Sequence, residues 1–146
     1  MFKHILIATD GSPVSNRAAK AGMALAKRLS ARVTVVSAME MATDVVYAGI
    51  SMDATMISEY EKQARAAAQK RIEPLAKLAA ASHVPFDSMM TEVSPVFRAI
   101  VAAATKRKCD AIVLGSHGRR GFSKFILGSV TQQVLARTTL PVLVFR

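Results

Sequence analysis

The residues best suited to chemistry lie late in the chain, in the stretch Gly115-Ser116-His117-Gly118-Arg119-Arg120-Gly121, continued through Phe122 to Leu127 and closed by Gly128-Ser129. Glycines lack a Cβ, so backbone N–H groups can close on an anion. A Gly-Ser pair that opens a helix turns the positive end of that helix toward the same anion. Arg119, Arg120 and Lys124 add cations to the stretch. The chemistry that fits is the holding of phosphate. Gly115, Gly118 and Gly121 are evenly spaced, which matches neither Gly-x4-Gly-Lys-Ser/Thr nor Gly-x-Gly-x-x-Gly, so this is not a P-loop or a dinucleotide fingerprint. His117 has no carboxylate beside it in sequence; contact with phosphate, rather than base catalysis, is the expectation. Asp10, followed by Gly11-Ser12, is the second candidate, suited to a ribose or Mg²⁺ contact or to capping the next helix.

The elements that must position these residues are legible as alternation. Five apolar runs, His4 to Ala8, Arg32 to Ala38, Phe86 to Glu92, Ala111 to Gly115 and Pro141 to Phe145, alternate with four helical patterns. That is the signature of a parallel sheet wrapped by helices. The first helix, starting at Ser12-Pro13 or Ser15, carries Ala18, Ala21, Leu25 and Leu29 on one stripe, with Gly22 inside it. The second carries Ile57, Tyr60, Ala64, Ala68, Ile72, Leu75 and Ala79, and is read as one element despite Pro74. The third is capped by Ser94-Pro95 and closed by Lys106 to Lys108; the fourth opens at Ser129, with Gln132 completing a capping box.

The fold class expected is α/β: an open five-stranded parallel sheet in the order 3-2-1-4-5, Rossmann-like, with helices on both faces, formed by residues 1–146 as one domain. In that order the loops after strands 1 and 4 lie side by side at the reversal, where such sheets bind ligands. The connection from Ser116 to Gly128 takes thirteen residues, against roughly two to six for ordinary strand-to-helix loops, and phosphate binding accounts for the extra length.

Composition narrows the setting. No apolar run approaches the ~20 residues that cross a bilayer, and Cys109 is the lone cysteine, as suits a reducing compartment; no membrane partner and a cytoplasmic location are expected. Cys109, His4 and His83 are assigned no chemical role. Twenty Lys and Arg against ten Asp and Glu give a formal net charge of +10, which attracts phosphate-bearing partners in general. Aromatics are 5% with no tryptophan, a poor supply of stacking platforms, so nucleic acid is an unfavoured partner. The segment Met39 to Met56 holds four of the eight methionines and suits either an adaptable cover or a plain crossover.

Gly115-x2-Gly118-x9-Gly128-Ser129, then Val130 and Pro141-Val-Leu-Val144, with Asp10-Gly11-Ser12 after the first strand, resembles the universal stress protein family in its ATP-binding branch. The resemblance spans the chain. It implies that Gly115, Gly118, Gly128 and Ser129 hold phosphates and ribose, that Asp10 lies beside the ribose or a metal, and that Thr9, Ala38, Leu114 and Val130 frame the adenosine, with Ala38 on the adenine. Ala8, His117 and Arg119 complete the implied site. The ligand is then ATP, or AMP or ADP, with Mg or Mn as an accompanying ion met through Asp10. Where many members carry Gly-x-Pro before helix 3, this chain has Val93-Ser94-Pro95; valine resists positive φ, so that turn should differ.

Three function classes follow. The foremost is a dimeric nucleotide-responsive regulator of stress response with slow or no ATP hydrolysis. The others are a nucleotide hydrolase or transferase on the same fold, and a nucleic-acid or acidic-partner binder driven by charge. Strand 5, residues 141–145, is an apolar edge with one nearby charge, Arg146. Such edges invite pairing, and a homodimer through this strand is expected.

Overall fold

A computed structural model describes residues 1–39, 49–92, 94–117 and 127–146. Its elements are β1 (His4–Ala8), α1 (Pro13–Leu29), β2 (Arg32–Ala38), α2 (Ala54–Ser82), β3 (Phe86–Thr91), α3 (Val96–Lys106), β4 (Ala111–Gly115), α4 (Ser129–Arg137) and β5 (Val142–Phe145). The strands form one all-parallel sheet in the order β3-β2-β1-β4-β5, the architecture expected from the alternation. β1 and β4 are buried along their whole length, which is why they read as unbroken apolar runs rather than alternating ones. Glu92 and Pro141 fall just outside their strands.

Two cores cover the two faces. Ile5, Ile7, Val33, Val35 and Val113 pack against Ala18, Met23 and Ala26 of α1 and Ile72, Leu75 and Ala79 of α2. On the other face Leu6, Val36, Ile112 and Leu114 pack against Ile100, Ala103 and Ala104 of α3 and Val134 of α4. The α1 stripe differs from expectation: Val14, Ser15, Ala18, Ala19, Gly22, Met23 and Ala26 are buried, whereas Ala21, Leu25 and Leu29 lie on its half-exposed flank. Small residues face the sheet because α1 sits close; a Cβ on Gly22 would come within 3.0 Å of Ile7 Cδ1 and 3.1 Å of Val113 Cγ1.

Helix termini refine three further expectations. Ser12 is the N-cap of α1, its side chain accepting from Ser15 N, with Pro13 at the first helical position. The capping box at α4 does not form: Ser129 is already helical, Gly128 is the N-cap without a side-chain bond, and Gln132 Nε2 donates instead to the Leu127 carbonyl at 2.6 Å. At α3 the N-cap is Pro95 rather than Ser94, again without a side-chain bond. α2 runs unbroken through Pro74 for 29 residues, a length of about 43 Å at 1.5 Å per residue. The strands, of 4 to 7 residues, are roughly half that or less. α2 therefore overhangs the carboxyl ends of the strands. Its buried residues start at Ala68, and Ile57, Tyr60 and Ala64 on the overhang are half-exposed.

At the opposite end of the sheet His4 is not incidental. It is buried at 6% exposure, and its Nε2 pairs with Thr34 Oγ1 at 2.8 Å. Burial, and then the charge of Arg32, hold its pKa below the ordinary 6.5. Below pH 6.5 the unfolded chain takes up a proton that the folded chain resists, so stability falls as pH drops from 6.5 toward the folded value. Equilibrium urea unfolding between pH 7.5 and 5 should show wild type losing more stability than His4→Gln over this range. Parallel losses in the two proteins would remove His4 from the linkage.

Candidate functional site

A cavity of about 320 Å³ opens at the carboxyl ends of β1, β2 and β4, where crossovers leave the sheet in opposite directions. Ala8, Thr9 and Asp10 line it from β1, Ala38 from β2, Leu114, Gly115 and His117 from β4, and Gly128, Ser129 and Val130 from the start of α4. All these sequence-derived candidates therefore come together. Gly118 and Arg119 lie outside the described residues, as do Gly121, Arg120, Lys124, Val93 and residues 40–48 of the Met39 to Met56 segment.

The β1 side is a tight turn built by local hydrogen bonds. Asp10 Oδ1 accepts from Ser12 N at 3.0 Å and Thr9 Oγ1 from Gly11 N at 3.2 Å. Gly11 has φ +78, a conformation open to glycine at little cost. Because Ser12 caps α1, Asp10 is not the helix cap; its carboxylate shapes the turn and borders the cavity.

The β4 side is closed by main chain. Ser116 N donates to Phe145 O at 2.6 Å and Gly128 N to Ser116 O at 2.7 Å, while buried Thr131 Oγ1 donates to Gly115 O at 2.8 Å. The loop thus returns to its own origin and delivers the start of α4 beside Gly115. The first amide to find a helical partner is that of Gln132, bonded to Gly128 O at 3.0 Å. The preceding N–H groups belong to Ser129, Val130 and Thr131, which line the cavity, and among the described residues no side chain caps them. A helix start of this kind suits an anion. Ser116 Oγ and His117 Nδ1 are hydrogen-bonded at 2.9 Å.

The walls include residues that motif reading missed. Val36, Met39, Val96 and Ile100 supply apolar surface, and Ser15, Thr131 and Arg71 supply polar groups. Val36 was within reach, since it shares the face of Ala38 two residues on. Val96, Ile100 and Arg71 sit on helices distant in sequence and carry no local signal. Asp10 is the one carboxylate among the described lining residues. Among the described residues no cluster of three or more His, Cys, Asp or Glu could hold a metal, and no helix is long and apolar enough to cross a membrane. Cys109 lies in the core below, its thiol pushed up to about 11 by burial, so it stays protonated and unreactive.

The sequence model of the universal stress protein family matches residues 1–146. The chain belongs to that family. Universal stress protein MJ0531 of Methanocaldococcus jannaschii is 33% identical, over 100% of this chain and 83% of the relative. A universal stress protein of Thermus aquaticus is 34% identical, over the full length of both. Among solved structures, the hypothetical protein MJ0577 superposes with a TM-score of 0.84 at 24% identity, covering 99% of this chain and 96% of that one. A universal stress protein in complex with cAMP gives 0.72 at 22%, covering 99% and 97%. One from Archaeoglobus fulgidus in complex with dAMP gives 0.70 at 17%, covering 100% and 98%. At these identities the structural likeness speaks for the fold.

Within this family member, Gly128 is held by protein contacts: a Cβ there would lie 3.1 Å from His117 Cα and 3.3 Å from Ser116 O. Gly128→Val should therefore cost about 1–3 kcal/mol of stability by overpacking a seam whose other side is backbone. Urea unfolding measures it; unchanged stability would mean that the seam yields freely.

Proposed function

We propose that this universal stress protein binds an adenine nucleotide in the cavity, with ATP foremost and ADP or AMP as alternatives. The observation that carries the reading is the uncapped start of α4 beside Gly115, facing an otherwise largely apolar cavity. Phosphates suit the amide end, and a base suits the walls formed by Ala38, Val36, Leu114 and Ile100. The cAMP and dAMP bound by two relatives of the same fold support an adenine ligand. With a single bordering carboxylate, Asp10, a Mg²⁺ or Mn²⁺ ion would arrive with the phosphates and take Asp10 as one ligand among several oxygens.

The role that fits is regulatory rather than catalytic. His117 Nδ1 is engaged with the Ser116 hydroxyl, and Asp10 is engaged in its turn, so neither is arranged as a dedicated base. The reading is of a cytoplasmic stress-response module that changes state with nucleotide and hydrolyses ATP slowly or not at all. Isothermal calorimetry should show ATP binding at or below millimolar concentration, with phosphate release far under the ~10 s⁻¹ median of dedicated enzymes. Absence of binding at millimolar ATP would sink the nucleotide reading, and turnover near that median would promote an enzyme.

A homodimer through β5 belongs to the same proposal. Val142 to Phe145 are all half-buried, and among the described strands β5 pairs with β4 alone. Leu135, 42% exposed, sits about 160° around α4 from Arg137, the residue that stacks on Phe97 of α3. It thus faces away from α3. Antiparallel pairing of two β5 edges about a two-fold would cover the strand edges in one self-complementary interface. Light scattering should report a wild-type dimer at tens of micromolar and a Val144→Lys monomer that still binds ATP. A wild-type monomer at that concentration would overturn the pairing.

A further inference from the structure

Arg71 stands at the point where α2 crosses the carboxyl end of the sheet, and no motif includes it. Its Nη1 donates to the Ala38 carbonyl at 3.2 Å. Its stem lies on the β1 turn, with Cγ 3.0 Å and Cδ 3.4 Å from the place where a Cβ of Gly11 would be. Gly11 is thus required by its positive φ and also by the passage of this side chain. The residue is half-buried and lines the cavity.

Its position says which part of a ligand it meets. The uncapped start of α4 follows β4, whereas Arg71 contacts the end of β2; β1 lies between them. Two strand spacings separate the two sites by roughly 10 Å, which puts Arg71 at the end away from the amides that suit phosphate. At that end the main chain of β2 is committed: Ala38 O accepts from Arg71 and Met39 N donates to Thr91 O at 2.9 Å. The apolar side chains of Ala38 and Met39 offer no hydrogen bonds to a nucleoside. A guanidinium carries five N–H donors and no acceptor, in a planar fork that can serve more than one oxygen or nitrogen.

We propose that Arg71 is a ligand-contact residue of this cavity, donating to an acceptor on the nucleoside part of the bound nucleotide, a ribose hydroxyl or a purine ring nitrogen, while its stem braces the Gly11 turn. The assignment rests on the nucleotide reading above and adds a residue from α2 to a site otherwise built from the ends of β1, β2 and β4 and the starts of α1, α3 and α4. It also ties the packed half of α2 to occupancy of the cavity, since Arg71 stands between the buried Ala68 and Ile72.

The test is a double-mutant cycle between protein and ligand, by calorimetry on the full chain. ATP, 2′-deoxyATP, 3′-deoxyATP and 7-deaza-ATP are titrated into wild type, Arg71→Lys and Arg71→Met, with circular dichroism and thermal melts confirming that each variant folds. Arg71→Met keeps the stem and removes the donors. It should weaken ATP about tenfold or more, and Arg71→Lys should recover part of the loss. One analogue should bind wild type more weakly than ATP, yet match ATP in Arg71→Met, which identifies the atom contacted. Additive losses with all three analogues would show that Arg71 acts only by holding Ala38 and Gly11, and would overturn the assignment. So would unchanged ATP affinity in a folded Arg71→Met. A wild type that bound neither ATP nor any analogue would instead overturn the nucleotide reading, and this assignment with it.

Discussion

Everything at the carboxyl end of the sheet depends on one constraint: the chain leaves β1 and β4 in opposite directions, and the ends of these two strands border a cavity. The crossovers from β1 and β2 pass over one face toward β3, and those from β3 and β4 pass over the other toward β5. Both are right-handed, so the loops that leave β1 and β4 diverge. The backbone ends there face a hollow that none of the described helices fills. In this chain the hollow is about 320 Å³, with Thr9 and Asp10 bordering it on one side and the start of α4 on the other.

The two sides are stabilised differently. The β1 turn is held by short-range bonds from Asp10 and Thr9 and by the stem of Arg71 above Gly11. The β4 side is pinned by contacts that close a long excursion on itself, through Gly128 N to Ser116 O, Thr131 Oγ1 to Gly115 O and Ser116 N to Phe145 O. The last of these ties the loop to the final strand. β5, whose outer edge pairs with no other described strand, is therefore tied to the residue between Gly115 and His117 of the cavity wall.

The two faces of the sheet divide the labour as well. α1 sits low on its face because small residues, Ala18, Ala19 and Gly22, meet Ile7 and Val113 closely. α3 and α4 present their first residues to the cavity. Val96 and Val130 are 39% and 36% exposed, unusual for valine but understandable at the mouth of a cavity.

Much of this was determined by the sequence alone. Near-continuous apolar runs at β1 and β4 specify strands buried on both faces, and the alternation with helices specifies parallel crossovers; the order 3-2-1-4-5 then fixes the place of the hollow. The glycine-rich stretch after β4 and Asp10 after β1 marked its two sides because each lies at a strand end, where position along the chain and position in space coincide. Tertiary structure decided what depends on approach between distant segments. Which stripe of α1 faces the sheet was settled by how near that helix lies, not by its pattern of larger apolar residues. Ser129 is inside α4 rather than capping it because Gly128 is drawn onto Ser116. Arg71 lines the cavity because α2 packs against the sheet through Ala68 and Ile72 on either side of it and carries its stem across Gly11, and no local spacing encodes such a crossing.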